Sequence, residues 1–90
     1  MPRFVVQDHI VVRKIGDEYF LLDRSVGQIR GLNETGYYVI SSVKNGLDTG
    51  EILEHLNKDY EIDDQSAADD LNGFLTFLKK LGIVKEKRDE

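Results

Sequence analysis

Three short apolar runs occupy the first third of the chain, and a helical spacing of apolar residues follows them. The runs cover residues 10–15, 18–23 and 28–32, and Gly16-Asp17 and residues 24–27 separate them as turns. Runs rich in β-branched and aromatic residues, bounded by turn residues, are typical of short strands joined by hairpins. The pattern therefore predicts a three-stranded antiparallel sheet, preceded by a partly ordered segment over residues 1–8.

Apolar residues recur three and four positions apart after residue 33, which predicts helices. Asn33 is a good N-cap for a first helix, and Asn45-Gly46 has the residues that end one. A second helix begins after Asp48 or Thr49. Of these two, Asp48 places Glu51 at the reciprocal position of a capping box.

A third and longest helix is predicted over residues 64–81. Acidic residues precede it, lysines lie in its last turn and Gly82 follows it, which suits the helix dipole and a C-terminal cap. Residues 83–85 are then expected to form a short closing strand or simply to pack against the domain. Residues 86–90 are expected to form a charged tail. Three strands followed by three helices predict an α+β fold with the helices on one face of the sheet.

Length and composition limit the possible functions. The 90 residues predict a single domain over 1–90, with a core from about residue 10 to 84, and the chain has no cysteine. No apolar run has the length of a signal peptide or a membrane span, so a cytoplasmic location without membrane contact is expected.

The net charge of −5 is unevenly distributed along the chain. Residues 49–90 hold six Lys/Arg and eleven Asp/Glu, so all of the acidic excess lies in this half. Proteins that bind nucleic acids usually offer a basic patch to the phosphates. We therefore expect no nucleic-acid partner.

Residues that carry catalytic or metal chemistry do not form a recognisable motif. His9 and His55 are far apart in the sequence, and no phosphate-binding loop, dinucleotide motif or nucleophile elbow is present. We therefore predict that the chain is not an enzyme and uses neither a cofactor nor a metal ion.

Two features predict a binding surface. The third strand, with Gln28, Ile29 and Arg30, lies at an end of the sheet, where an edge can accept an extended peptide by strand addition. The third helix has an apolar face that is wider than packing on a core requires. Its residues are Ala67, Ala68, Leu71, Phe74, Leu75, Phe77, Leu78 and Leu81. Such a face can line a groove, although a small domain can also use its longest helix as the centre of its core.

The order of these features over residues 10–84 resembles the PqqD-like family, whose members are RiPP recognition elements. The shared pattern is a strand that ends in Leu-Asn, a Gly-containing link, a Glu-Ile helix, a Tyr and a closing helix with Phe-Leu. Here it comprises Leu32-Asn33-Glu34-Thr35-Gly36, Asn45-Gly46, Glu51-Ile52 with Leu56, Tyr60, Leu71 with Phe74-Leu75 and Leu78, and Gly82-Ile83-Val84.

The resemblance implies a winged-helix-like domain that acts as a peptide chaperone in pathways such as PQQ biosynthesis. Family members bind the leader segment of a ribosomally made precursor peptide and present it to a modifying enzyme, such as a radical SAM protein. The leader adds as a strand beside the third strand and against the third helix. The implied peptide-binding residues are Gln28, Ile29, Arg30, Asp70, Leu71, Phe74, Phe77 and Leu78.

Two other functions fit part of the sequence. A winged-helix DNA-binding regulator needs cationic residues on its recognition helix, but residues 64–78 contain no Lys or Arg. A structural or dimerisation subunit would instead pair the exposed sheet edge with itself. A monomer or a weak homodimer is expected.

Overall fold

The strands form two separate sheets, and one apolar core joins both sheets to the helices. The computed structural model describes residues 3–87, which form five strands and three helices. In chain order these are β1 (Arg3–Val6), β2 (Ile10–Ile15), β3 (Glu18–Asp23), β4 (Gln28–Leu32), α1 (Glu34–Lys44), α2 (Thr49–Tyr60), α3 (Asp64–Lys80) and β5 (Val84–Lys87). The fold is α+β, as the sequence predicts.

Strands β2, β3 and β4 form an antiparallel meander, in the order of the chain. A two-residue turn joins β2 to β3, and Gly16 has a φ of +60°, in the left-handed region that glycine adopts without a steric cost. Four residues, 24–27, join β3 to β4. The three predicted strands are therefore confirmed, and β4 corresponds to the third strand of the sequence analysis.

Each helix begins at a side chain that accepts a hydrogen bond from the first turn. Asn33 caps α1, and Asp63 caps α3. At α2, Asp48 and Glu51 form a complete capping box, which identifies Asp48 rather than Thr49 as the N-cap. These caps satisfy backbone N–H groups that have no partner inside the helix. The predicted helix starts are confirmed.

One apolar core joins the inner face of the meander to the three helices. Leu21 at the centre of β3 is buried, and so are Ile40 of α1, Ile52 of α2 and Leu78 of α3. Burial of such side chains contributes about 1.5–3 kcal/mol each. Within residues 3–87, no helix is both long enough and apolar enough to cross a membrane.

The short closing strand that was one alternative for residues 83–85 is present as β5, but its partner β1 was not predicted. Strand β1 pairs with β5 in antiparallel register, from Arg3 opposite Lys87 to Val6 opposite Val84. The expectation of a partly ordered segment is therefore wrong for residues 3–6. Residues 86 and 87 of the expected charged tail lie in β5, so the closing strand extends beyond residue 85. Residues 1–2 and 88–90 lie outside the described residues.

Candidate functional site

Strand β4 lies at the edge of the meander, and the ladder shows which of its backbone groups are unused. The N–H of Arg24 donates to the C=O of His9 over 2.8 Å, so residues 9 and 24 form a hydrogen-bonded pair. Such pairs alternate along an antiparallel ladder. Leu22 therefore directs its backbone groups to β2, and Leu21 directs its groups to β4.

The same alternation continues across β3 and β4. Arg30 lies opposite Leu21, and Gln28 and Leu32 lie opposite the other residues of β3 that bond toward β4. The backbone groups of Ile29 and Gly31 consequently point away from the sheet. Within residues 3–87, no strand pairs with this side of β4. Two N–H donors and two C=O acceptors are thus free for another extended chain.

The side chains of β4 divide between the two faces of the meander. Arg30 is on the face of the buried Leu21, so it points toward the helices. Ile29 is opposite Leu22 on the other face, and 67% of its surface is exposed. Ile29 therefore contributes its backbone to the edge that borders α3, whereas its side chain points away from that helix.

A groove with a volume of about 310 Å³ lies between β4 and α3. Its buried floor includes Leu21, Leu78 and Ile83, while Phe77 stands on its wall with 51% of its surface exposed. The complete lining is Leu21, Arg30, Gly31, Leu32, Asn33, Gly36, Phe74, Phe77, Leu78, Leu81 and Ile83. An extended chain added to β4 would direct alternate side chains into this apolar space.

A second cavity, of about 340 Å³, adjoins the groove near the first half of α3. The two share Asn33, Gly36 and Phe74 in their linings. Asp70 is exposed in the lining of the second cavity, and Leu71 is a buried part of its wall. The groove and the second cavity thus lie side by side along α3.

The charged residues that line the groove and the second cavity have opposite signs. Arg30 lines the groove, and its Nη2 donates to Oε1 of Gln28 over 3.3 Å on the same face of β4. Asp70 lines the second cavity. The edge near β4 can therefore pair with a carboxylate, and the region near Asp70 can pair with a cation.

The resolved pKa shifts belong to turns, caps and packing rather than to the groove. A hydrogen bond from the Ser25 hydroxyl lowers the pKa of Asp23, and the N–H of Ser66 lowers the pKa of Asp63. Burial raises the pKa of Tyr60. None of these three residues lines the groove or the second cavity. Within residues 3–87, no three His, Cys, Asp or Glu side chains are grouped so that they could hold a metal ion.

The structure brings together most of the residues that the sequence singled out. Arg30, Phe74, Phe77 and Leu78 line the groove, and Asp70 and Leu71 line the second cavity with Phe74. Gln28 is exposed at the start of β4, on the same face as Arg30.

Several lining residues were not among the predicted site residues. Leu21, Leu32 and Ile83 line the groove, although they read as ordinary core positions in the sequence. Gly36 is a better signal, because a Cβ built there lies 3.1 Å from Oδ1 of Asn33 and 3.4 Å from Cζ of Phe74. A small residue at this position of α1 leaves room for the capping side chain of Asn33 and for the ring of Phe74, which both cavities share.

The fold and the site together define a class: a small α+β domain that presents an open strand edge beside an apolar groove. The family model described as coenzyme PQQ synthesis protein D (PqqD) matches residues 18–84. This match includes β3, β4 and all three helices, and the chain therefore belongs to the PqqD family. The resemblance seen in the sequence is confirmed.

Two solved structures have the same fold. One is TbiB1 in complex with the TbiA(β) leader peptide, with a TM-score of 0.83, 27% identity, and coverage of 94% of this chain and 99% of that chain. The other is lasso peptide synthetase B1 complexed with the leader peptide, with a TM-score of 0.82, 24% identity, and coverage of 92% and 98%. No curated protein sequence matches this chain.

Proposed function

We propose that this protein captures an extended leader peptide by strand addition to β4. The peptide backbone bonds to Ile29 and Gly31, and its inward side chains enter the groove between β4 and α3. The open edge of β4 beside the half-exposed Phe77 is the main support for strand addition. Strand addition obtains affinity from the backbone and specificity from pockets for alternate side chains.

The comparisons support a leader peptide as the ligand. TbiB1, which is similar over nearly the whole chain, is in complex with a leader peptide. The chain also belongs to a family described by its part in the synthesis of coenzyme PQQ. By this proposal the ligand is the leader of a ribosomally made precursor.

The captured precursor is then presented to a separate modifying enzyme, such as a radical SAM protein, in the cytoplasm. The protein itself performs no chemical step in this proposal. Its contribution is to hold the leader in one register, which raises the local concentration of the precursor beside the enzyme. Arg30 pairs with a carboxylate of the leader at the rim of the groove.

Amide hydrogen exchange tests the proposed register directly. The N–H groups of Ile29 and Gly31 face the open edge, so they exchange rapidly in the free protein, while those of Arg30 and Leu32 are already bonded to β3. The probe is a synthetic peptide with the sequence of a candidate precursor's leader segment. We expect the peptide to protect residues 29 and 31 and to leave the protection of residues 30 and 32 nearly unchanged.

The result that contradicts the proposal is equally specific. Peptide binding that leaves Ile29 and Gly31 in rapid exchange would exclude strand addition to β4. Amide shift changes confined to β2, or to the surface of α1 and α2, would locate the peptide elsewhere. Changes along residues 74–81 together with the new protection would support both the edge and the groove.

A further inference from the structure

The meander has a second apolar surface on the side that faces away from the helices. The strand register brings six side chains together there, and they line an open depression of about 510 Å³. They are Val11, Arg13, Ile15, Phe20, Leu22 and Ile29. We refer to these six residues, with Glu18 beside Ile15, as the outer face.

The outer face holds much of the exposed apolar surface among the described residues. Ile15 and Ile29 are 66% and 67% exposed, although both lie in regular strands. All three helices pack on the opposite side of the meander, where Leu21 is buried. Contiguous apolar surface of this kind marks an interaction site in soluble proteins.

We propose that a second copy of this chain covers the outer face, so that two meanders pack face to face. The charges of the outer face favour a second copy as the partner. The chain has a net charge of −5, yet the outer face carries one cation, Arg13, and one anion, Glu18. In a twofold interface the same patch meets itself, and a patch with both signs lets each Arg13 approach Glu18 of the other copy.

The size of the outer face sets the strength of the dimer. Three strands of about six residues, spaced about 4.8 Å apart, cover roughly 15 by 20 Å. This area is well below the roughly 800 Å² per partner of a standard stable interface. The dimer is therefore weak and reversible, and it forms only at high protein concentration.

The proposed dimer leaves the peptide site free. Arg30 and the groove are on the other face of the meander, and the unused backbone groups of Ile29 and Gly31 point sideways along the edge. A dimer built on the outer face can consequently hold two peptides. A dimer built by pairing two β4 edges could not, because the same backbone groups would be consumed.

Sedimentation velocity over a range from about 10 µM to 1 mM tests the proposal, because a weak dimer is populated only at high protein concentration. The variant is Ile15→Lys, which puts a charge on the outer face while lowering the net repulsion between copies. The control is Val26→Lys, which changes an equally exposed residue (68%) in the loop between β3 and β4. Circular dichroism checks that both variants fold.

We expect the wild-type protein to associate reversibly, Ile15→Lys to weaken this association by about tenfold or more, and Val26→Lys to change it by less than about twofold. Ile15→Glu should act as Ile15→Lys does, since the lost apolar contact is the cause. A wild-type protein that stays monomeric throughout the range would overturn the proposal and leave the face to a different protein. Association that persists in both Ile15 variants would also overturn it, and would point to pairing of the β4 edges.

Discussion

Ile29 lies opposite Leu22 across β3 and β4, on the face of the meander that points away from the helices. Its neighbour Arg30 lies opposite the buried Leu21 and faces α3. One step along the strand thus separates a groove residue from a residue of the outer face. Because Ile29 also directs its N–H and C=O to the open edge, its backbone and its side chain belong to different surfaces.

Replacement of Ile29 separates the role of the backbone from that of the side chain. Ile29→Pro removes an N–H that makes no bond to β3, so the β3–β4 ladder keeps its hydrogen bonds. We expect the affinity for the leader peptide to fall by about tenfold or more, since a backbone hydrogen bond and the strand register are lost. Ile29→Ala keeps the N–H and is expected to stay within about twofold of the wild type.

Fluorescence polarisation with a labelled leader peptide measures both variants of Ile29. Equal losses in Ile29→Pro and Ile29→Ala would assign the effect to the side chain and contradict strand addition. Normal affinity in a folded Ile29→Pro variant would show that the peptide does not bond to this N–H.

Truncation of Phe77 tests the groove. Phe77→Ala removes an aromatic wall that is half exposed, so the cost in stability is small compared with that of a buried phenylalanine. We expect peptide affinity to fall by about tenfold, as is common for an aromatic anchor of an interface. Ile15→Ala is the matched control, because Ile15 is also exposed and apolar but lies on the outer face. Similar affinities for the two variants in isothermal titration calorimetry would argue against the groove as the peptide site.

The charge of Arg30 should govern the salt dependence of peptide binding. With a leader that carries an acidic residue, Arg30→Gln is expected to lower the affinity by roughly threefold at low salt and to flatten its decline with added NaCl. Arg13→Gln removes the same charge from the outer face and serves as the control. An unchanged salt dependence in Arg30→Gln would show that the peptide places no carboxylate at this rim.

Local signals in the sequence predicted the elements that depend on neighbouring residues. The hairpins and the predicted caps at Asn33 and Asp48 depend on groups within a few positions of one another. The β1–β5 sheet was missed because its strands are four residues each and pair across almost the whole chain. The sequence offered a short strand over residues 83–85 as one alternative, but no turn or partner near residues 3–6 indicates a strand there.

The sequence predicted which residues belong to the site better than it predicted where their side chains point. The wide apolar face of α3 indicated a groove, and Phe77 is its exposed wall. Leu71 and Leu78 carry the same pattern but are buried, since only the packing of α3 decides which part of its face remains open. The direction of the Ile29 side chain depends on the register of β4 with β3. This register is set by which face of the sheet packs on the helices, so it could not be predicted from neighbouring residues.

Gly73 offers a test of stability that is separate from binding. A glycine inside a helix suggests close packing, but a Cβ built at Gly73 meets no atom within 4 Å. Gly73→Ala should therefore stabilise the protein by about 0.5–1 kcal/mol through helix propensity. Thermal unfolding should show a higher Tm, and peptide affinity should stay unchanged because residue 73 lines neither cavity. A lower Tm would indicate that a neighbour of α3 needs this space.

The N-cap of α3 gives the fold a predictable sensitivity to acid. The N–H of Ser66 donates to the carboxylate of Asp63 over 2.9 Å, and the Ser66 hydroxyl donates over 3.0 Å, so the pKa of Asp63 lies below its ordinary value. Because the folded pKa is lowered, the unfolded chain binds more protons, and this contribution to stability is present above about pH 4 and lost as the pH falls through the folded pKa.

Asp63→Asn keeps an oxygen that can cap the helix but does not titrate. Urea unfolding between about pH 2.5 and 7 measures the free energy of unfolding. The difference in this free energy between the wild type and Asp63→Asn should be larger at neutral pH than in acid. A difference in unfolding free energy that is constant across this range would mean that the charge of Asp63 does not stabilise the start of α3.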